Sequence, residues 1–465
     1  MRIQEICCIG AGFVGGPTMA VIAHECPEVR VTVVDTNIEK IKAWNSPNLD
    51  KLPVYEPGLK DLVRKTRNKN LFFSTDIDNA IIKAQMIFLA VNTPTKKDGE
   101  GKGYAADLTN IVKCSKRIAK VSRDSKIIVE KSTLPVRTAE RIKQVLKSNS
   151  TEITFEVLSN PEFLAEGTAI QDLYKSDRVL IGSDNTKRGR EALNSLISLY
   201  EKWIPKSKIL KTSVWSAELS KLASNAMLAQ RISSINSLSA LCEKSGASIE
   251  EVSKAIGMDK RIGSHFLNVS PGFGGSCFQK DILNLVYLCR NYGLHEVANY
   301  WEWVVRINDY QKSRFSNKVM KYFGNKIINK RITILGWSFK KNTNDSRESA
   351  SIYICRDLLI KGATIHIYDP MVPPKRIISD IEYLLESNNF EQESLKELIS
   401  KVYVSKNIND AVKSTEAILI LTEWDEFKRY DWKKFIQRSK INVHLFDSRN
   451  IVDKSFAQNL YSIGN

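Results

Sequence analysis

The stretch "EICCIGAGFVGGPTMAVIAHE" constrains the fold more than any other. A short apolar run meets Gly10, Gly12 and Gly15, and a helical pattern follows. "VRVTVVD" then reads as a second strand that ends on Asp35. Strand, glycine turn, helix and strand within about 30 residues make a βαβ unit. In such a turn the first glycine permits the bend and the second lets backbone approach a pyrophosphate. The third lets helix pack on strand. Asp35 stands where an acid binds ribose hydroxyls, and its charge disfavours a 2′-phosphate, so the pattern points to NAD before NADP. A structural glycine turn beside a solvated aspartate is the rival explanation.

Further strands are predicted at "MIFLAVNTP", "KIIVEKST", "EVLSNPEF" and "RVLIGS", with helices between some of them. From Trp215 to about Tyr310 the spacing becomes helical, led by one long amphipathic helix that Gly246 ends. Strands return at "RITILGWSF", "ATIHIYDP", "AILILTEW" and "VHLFDSRN", while 375–410 reads as helices and loops. The fold class is α/β: two Rossmann-like, doubly wound parallel-sheet domains joined by a central all-helical region. The expected divisions are 1–212, 213–325 and 326–465.

A chain of 465 residues is too long for one core. Its eight cysteines form no CxxC pair and its five histidines show no ligand spacing, so neither a disulfide framework nor a metal site is expected. Cys7 and Cys8, adjacent in a strand, would face opposite ways. A reducing compartment, the cytosol, fits this cysteine usage. No stretch approaches a membrane span. The net charge of +17 is spread along the whole length. It suits anionic small molecules and, without a basic tail or zinc finger, argues against nucleic acid.

"PGFGGSCFQKD" sets Cys277 behind Gly272, Gly274 and Gly275 and before Lys280 and Asp281. The glycines would bring backbone amides close to a bulky ligand. Lys280 would favour thiolate, and Asp281 would hold that lysine or a water. A nucleophilic sulfur near a dinucleotide fits capture of an aldehyde and its oxidation to a thioester. A small cysteine filling a turn is the plainer alternative. Glu162 and Glu166 would share a face if helical, one of them a general base, or both simply solvated acids. Lys221 and Asn225, one turn apart on the long helix, offer an oxyanion stabiliser or a snorkelling lysine. Phe339, Lys340, Arg347 and Arg449 lie near strand ends and suit a diphosphate and a base, or an ordinary basic surface.

Taken together, "ICCIGAGFVGGPT", "VNTPT", "LSNPEFLAEGTAI", "ELSKLASNA", "AQRISSINS", "GFGGSCFQKD", "NLVYLC", "ESASIYI" and "HIYDP" resemble the UDP-glucose 6-dehydrogenases, particularly the animal type, in family order and over nearly the whole chain. The resemblance implies two successive oxidations of UDP-glucose at C6, giving UDP-glucuronate and two NADH. It makes Cys277 the nucleophile, Lys221 the acid–base or oxyanion lysine, and Glu162 the base that activates water. Asp281 and Thr133 would support that water and the hydride step, and Asn225 would contact the reacting end of the sugar. For NAD it implies Gly10, Ala11, Gly12, Phe13, Val14, Gly15, Asp35, Lys40, Val91, Asn92, Thr93, Pro94, Thr95, Ser132, Thr133, Glu166 and Arg347. For UDP-glucose it implies Glu162, Phe163, Leu164, Ala165, Glu166, Lys221, Asn225, Arg261, Asn268, Val269, Ser270, Pro271, Gly272, Phe273, Gly274, Phe339, Lys340 and Arg449. Arg449 would reach a neighbouring subunit of a dimer-based hexamer. Asn268 stands where animal members usually carry lysine, and Pro271 stiffens the loop. "NLDKLPVYEPGL" is slightly longer than the usual form, and the polar tail common in animal members is missing. These departures keep open a weakly active or regulatory paralogue, or a dehydrogenase of another nucleotide sugar such as UDP-N-acetylmannosamine or GDP-mannose.

Overall fold

The computed structural model describes residues 2–149, 153–324, 326–388, 390–439, 442–454 and 459–465. The chain divides into two compact units. One is Met1–Ser224 with Leu283–Gly293; the other is Asn225–Ile282 with Leu294–Asn465.

The first unit is built on eight strands: β1 (Glu5–Ile9), β2 (Arg30–Val34), β3 (Leu71–Ser74), β4 (Met86–Leu89), β5 (Lys126–Glu130), β6 (Phe155–Ser159), β7 (Val179–Gly182) and β8 (Ile209–Thr212). They lie in the order β3-β2-β1-β4-β5-β6-β7-β8. All pairs are parallel except β6 with β7. Sheets of this kind carry helices on both faces, so their central strands are apolar throughout. Cys7 belongs to the core on one face, with Ile118 and Ile142. Cys8 belongs to the core on the other, with Met19 and Trp44. The adjacent thiols therefore do point opposite ways, and burial raises both: Cys8 to about 12 and Cys7 well above its usual value.

The second unit carries β9 (Arg331–Leu335), β10 (Thr364–Tyr368), β11 (Val402–Val404), β12 (Ala417–Ile420), β13 (His444–Asp447) and β14 (Leu460–Ser462). Their order is β11-β10-β9-β12-β13-β14, all parallel. Numbered from its own first strand, each sheet begins 3-2-1-4-5-6, the dinucleotide-fold order. The expected pair of doubly wound sheets is present. One correction applies: 375–410 includes a strand, β11, as well as helices.

Between the sheets in sequence run helices Val214–Ser245, Ile249–Gly257, Phe278–Asn291 and His295–Tyr322. Gly246 ends the long helix with φ of 80°, a left-handed stop. That helix is not simply amphipathic. Ala217, Leu222, Ala226 and Ala229 are buried, yet Trp215, Leu219, Met227 and Leu241 are exposed, so apolar residues line more than one side. Among the described residues no helix is long and apolar enough to cross a membrane.

Candidate active site

Ligands of doubly wound sheets bind beyond the strand carboxyl ends, where the strand order reverses. In the first sheet that point lies between β1 and β4. Gly10, with φ of 115°, leaves β1 there. A Cβ on it would sit 2.3 Å from the Ala90 carbonyl oxygen, so only glycine lets the two strand ends pass. A Cβ on Gly12 would meet nothing within 4 Å. That open space over bare backbone is what a pyrophosphate needs. Asp35, just past β2, accepts from the Ala11 N–H at 3.0 Å, the Asn37 N–H at 2.9 Å and Lys40 Nζ at 2.9 Å. Burial works to raise its pKa, but these hydrogen bonds prevail and hold it below its usual value. An ionised acid at this position fits ribose hydroxyls and opposes a 2′-phosphate, so this turn fits NAD.

The segments after β4 and β5 are laced together. The Ser132 hydroxyl donates to the Val91 carbonyl at 2.7 Å, and Thr93 donates to the Thr133 carbonyl at 3.1 Å. This places Val91 and Thr93 against Ser132 and Thr133.

Glu162 and Glu166 lie in an irregular loop, not on a helix. Pro161 opens it, and carboxylates take the amides a helix would use. Glu162 accepts from Leu164 N–H, Asp172 from Ala165 N–H, and Glu56 from both Gly167 and Ala169 N–H at 2.8 and 3.0 Å. Glu162 Oε1 stands 3.4 Å from Lys221 Nζ, with both side chains buried. Phe163 carries cations: Arg178 lies 3.9 Å and Lys221 Nζ 5.4 Å from its ring centre. Behind Glu162 is a buried cation that sequence reasoning missed. Lys131 Nζ donates to Asn160 Oδ1 at 3.1 Å and to the Tyr200 hydroxyl at 3.2 Å. Burial pushes its pKa down to about 8, against the pull of Glu162.

In the second unit, Asp281 is fully buried. Its two oxygens accept from Asn225 Nδ2 at 2.6 Å and Lys280 Nζ at 2.6 Å. So Asp281 does hold Lys280, as the sequence suggested. Cys277 is half-buried, with the Ser276 hydroxyl 3.6 Å from its sulfur.

The glycines before Cys277 answer close contacts within the chain itself. A Cβ on Gly274 would lie 2.6 Å from the Glu348 carbonyl oxygen and 2.8 Å from Phe339 Cβ. They let the loop approach its own protein. Amide side chains then clamp it. Asn308 accepts from Phe273 N–H at 2.7 Å and donates to Phe273 C=O at 3.1 Å. Asn236 accepts from Ser270 N–H, and Gln311 donates to Ser270 C=O. These amides were also missed, although buried polar residues at core spacing on a helix are a usable signal. Pro271, Gly272 and Val269 are buried with the loop, whereas Asn268 is exposed.

The second sheet repeats the first at its reversal point. Gly336, with φ of 97°, leaves β9, and a Cβ would meet Thr422 at 2.4 Å. Asp369 follows β10 as Asp35 follows β2 and accepts from Trp337 and Ser338 N–H. It also accepts from Trp424, Met371 and Val372, so its lone pairs are spent within the protein. Arg449 is partly buried within its own unit. Its guanidinium donates to the Leu421 and Phe339 carbonyls and pairs with Glu423 at 3.1 Å. Lys340 Nζ lies 5.6 Å from the Phe339 ring centre. Arg347 pairs with Asp345, and its carbonyl accepts from Gly275 N–H at 2.8 Å. Arg261 pairs with Asp259, and its side chain is 90% exposed. Among the described residues no cluster of metal ligands occurs.

Three family models match in succession: the NAD binding domain of the UDP-glucose/GDP-mannose dehydrogenase family at 4–204, its central domain at 215–310 and its UDP binding domain at 333–454. The chain belongs to this family. The UDP-glucose 6-dehydrogenase of Mus musculus is 54% identical over 454 residues, covering 97% of this chain and 90% of that protein. That of Drosophila melanogaster is 53% identical over 98% of this chain and 94% of its own. Among solved structures, a UDP-glucose dehydrogenase from Pyrobaculum islandicum superposes with a TM-score of 0.84 at 26% identity, covering 100% of this chain and 98% of that one. As a member of the dehydrogenase family, the chain is an oxidoreductase whose cofactor is NAD.

Proposed function

We propose that this dehydrogenase oxidises UDP-glucose at C6 to UDP-glucuronate, with Cys277 as nucleophile. The observation that carries the reading is the pair of buried ionic sets, Glu162 with Lys221 and Asn225 with Asp281 and Lys280. Lys221 and Asn225 sit one turn apart on a single helix, and Asp281 lies one turn after Cys277. The high identity to UDP-glucose 6-dehydrogenases supports the choice of sugar.

NAD, when bound, supplies the hydride acceptor for each oxidation. Gly10, Ala11, Gly12, Phe13, Val14, Gly15, Asp35, Lys40, the 91–95 segment, Ser132, Thr133, Glu166 and Arg347 would hold it. Lys221 Nζ, as the ammonium, stabilises the developing alkoxide, whose hydroxyl proton passes to solvent water as the alcohol becomes aldehyde. The Cys277 thiolate then forms a C–S bond to the aldehyde carbon, giving a thiohemiacetal that is oxidised to a thioester. Water, deprotonated by Glu162 and positioned by Asp281 and Thr133, breaks the C–S bond. The carboxylate leaves and the sulfur recovers a proton. The 268–274 loop, Phe339, Lys340 and Arg449 would bind the UDP portion, and Arg261 would add charge from an exposed loop. We place domain boundaries at 1–212, 213–325 and 326–465, and a homo-oligomer built on the exposed apolar side of the long helix, in the cytosol.

The test is NADH yield. Two NADH per UDP-glucose are expected, and Cys277→Ser should stall after partial oxidation. One NADH per sugar in the wild type, no turnover, or preferred oxidation of another nucleotide sugar would overturn the proposal.

A further inference from the structure

Two buried acids stand behind these residues with no assigned role. Glu130 closes β5, is 1% exposed, and immediately precedes Lys131, Ser132 and Thr133. Glu218 is 2% exposed and lies three residues before Lys221 on the long helix. Glu218 is well supplied with donors: Oε2 accepts from Arg137 N–H and Oε1 from Ala139 N–H, each at 2.8 Å. Glu130 is the reverse. Neither of its oxygens has a donor in hydrogen-bonding geometry. Its polar neighbours are the Glu218 carboxyl and the Ser159 hydroxyl.

A buried carboxylate without donors is costly, and two buried carboxylates in contact cost more. One arrangement relieves both costs. Glu130 keeps its proton and donates it to Glu218, which stays ionised and accepts three hydrogen bonds. We infer that Glu130 and Glu218 share one proton, and that this acid–carboxylate bond is a positioning device tying the Ser132–Thr133 loop to the helix of Lys221. The catalytic part of this statement rests on the function proposed above; the shared proton does not.

The surroundings agree. Burial and then the Glu218 charge push Glu130 well above the usual carboxylate range. Burial raises Glu218 to about 7, opposed by the Ala139, Arg137 and Glu130 hydrogen bonds. Lys143, on helix Thr138–Asn149, is the cation felt by both acids, and it is itself bound to Asp184. The loop they anchor is strained: Arg137 has φ of 74°, a conformation that needs external support in a non-glycine residue. Glu218 supplies that support from the catalytic helix.

The experiment uses the full chain. Infrared spectra of the wild type at neutral pH should show a protonated-carboxyl stretch that disappears in Glu130→Gln. Glu130→Ala, which removes the donor, should lower kcat about tenfold with KM for either ligand changed less than about threefold. Glu130→Gln, whose amide N–H replaces the acid O–H, should restore kcat to within about threefold of wild type. Glu218→Gln should not recover, because its amide sets N–H against the Arg137 or Ala139 N–H. Absence of the infrared band, its persistence in Glu130→Gln, or equal losses in Glu130→Gln and Glu130→Ala would overturn the inference. A variant that does not fold leaves the wild-type spectrum to decide. A wild type without turnover overturns the function, and the infrared comparison then decides the shared proton alone.

Discussion

Lys221 Nζ stands 3.4 Å from Glu162 Oε1, and both side chains are at least nine-tenths buried. The proposed oxyanion lysine and the proposed water-activating glutamate are thus one ion pair. Each charge helps to stabilise the other, since removing one partner leaves a buried charge less well compensated.

That pairing separates stability from catalysis. Glu162→Gln or Lys221→Met alone should cost roughly 3–5 kcal/mol of folding stability and on the order of 100-fold or more in kcat. The double variant should recover part of the stability, because the pair is removed whole and only Lys131 loses a nearby carboxylate, and none of the rate. Urea unfolding and NADH production measure the two effects. Additive losses of stability would show that the pair is not coupled.

Asn308 makes a two-point bond to the backbone of Phe273 and is itself fully buried. Asn308→Ala leaves a buried N–H and a buried C=O unpaired, each costing roughly 1–3 kcal/mol. The cysteine loop should loosen with it. Alkylation of Cys277 by iodoacetamide should become severalfold faster and the unfolding midpoint should fall. An unchanged alkylation rate would mean that the clamp does not hold the sulfur's loop.

Gly10 and Gly12 should fail in different ways. A methyl on Gly10 meets the Ala90 carbonyl at 2.3 Å in a left-handed backbone, so Gly10→Ala should yield little folded protein. A methyl on Gly12 enters open space, so Gly12→Ala should change stability by less than about 0.5 kcal/mol. It should nevertheless weaken NAD binding, measured by calorimetry, because the methyl fills room reserved for the pyrophosphate. Undiminished NAD affinity in Gly12→Ala would remove the argument that this turn is the cofactor cradle.

The limits of the sequence follow from the same contacts. Ten interior strands were legible because each is an apolar run, broken inside at most by one residue such as Thr32, Glu156, Thr333 or His366. The four that were not, Leu71–Ser74, Ile209–Thr212, Val402–Val404 and Leu460–Ser462, are the four sheet edges. Edge strands are short and partly polar, so their signal is weak. At the site, Cys277, Lys221 and Glu162 were found by chemistry and motif. Glu130, Glu218, Lys131 and Asn308 were not, because an acid, lysine or amide in a single sequence reads as surface until burial is known. The close approach of Gly274 to the chain's own Glu348 carbonyl was likewise not legible, because it joins segments distant in sequence.

Lys131 supplies a pH test. Its folded-state pKa is pushed down to about 8 by burial, against 10.5 for an ordinary lysine. The unfolded chain therefore binds more protons between those values, and stability rises with pH across that window. Below about pH 8 the cost of burying the ammonium is fully present, on the order of 3 kcal/mol. Above about pH 10.5 it has vanished. Lys131→Met carries no such cost. The wild type should therefore gain stability relative to Lys131→Met as pH is raised from 7 to about 10, offset by a constant loss in the variant of the Asn160 and Tyr200 hydrogen bonds. Paired urea titrations at each pH measure the difference. A difference that stays flat would show that burial does not shift Lys131.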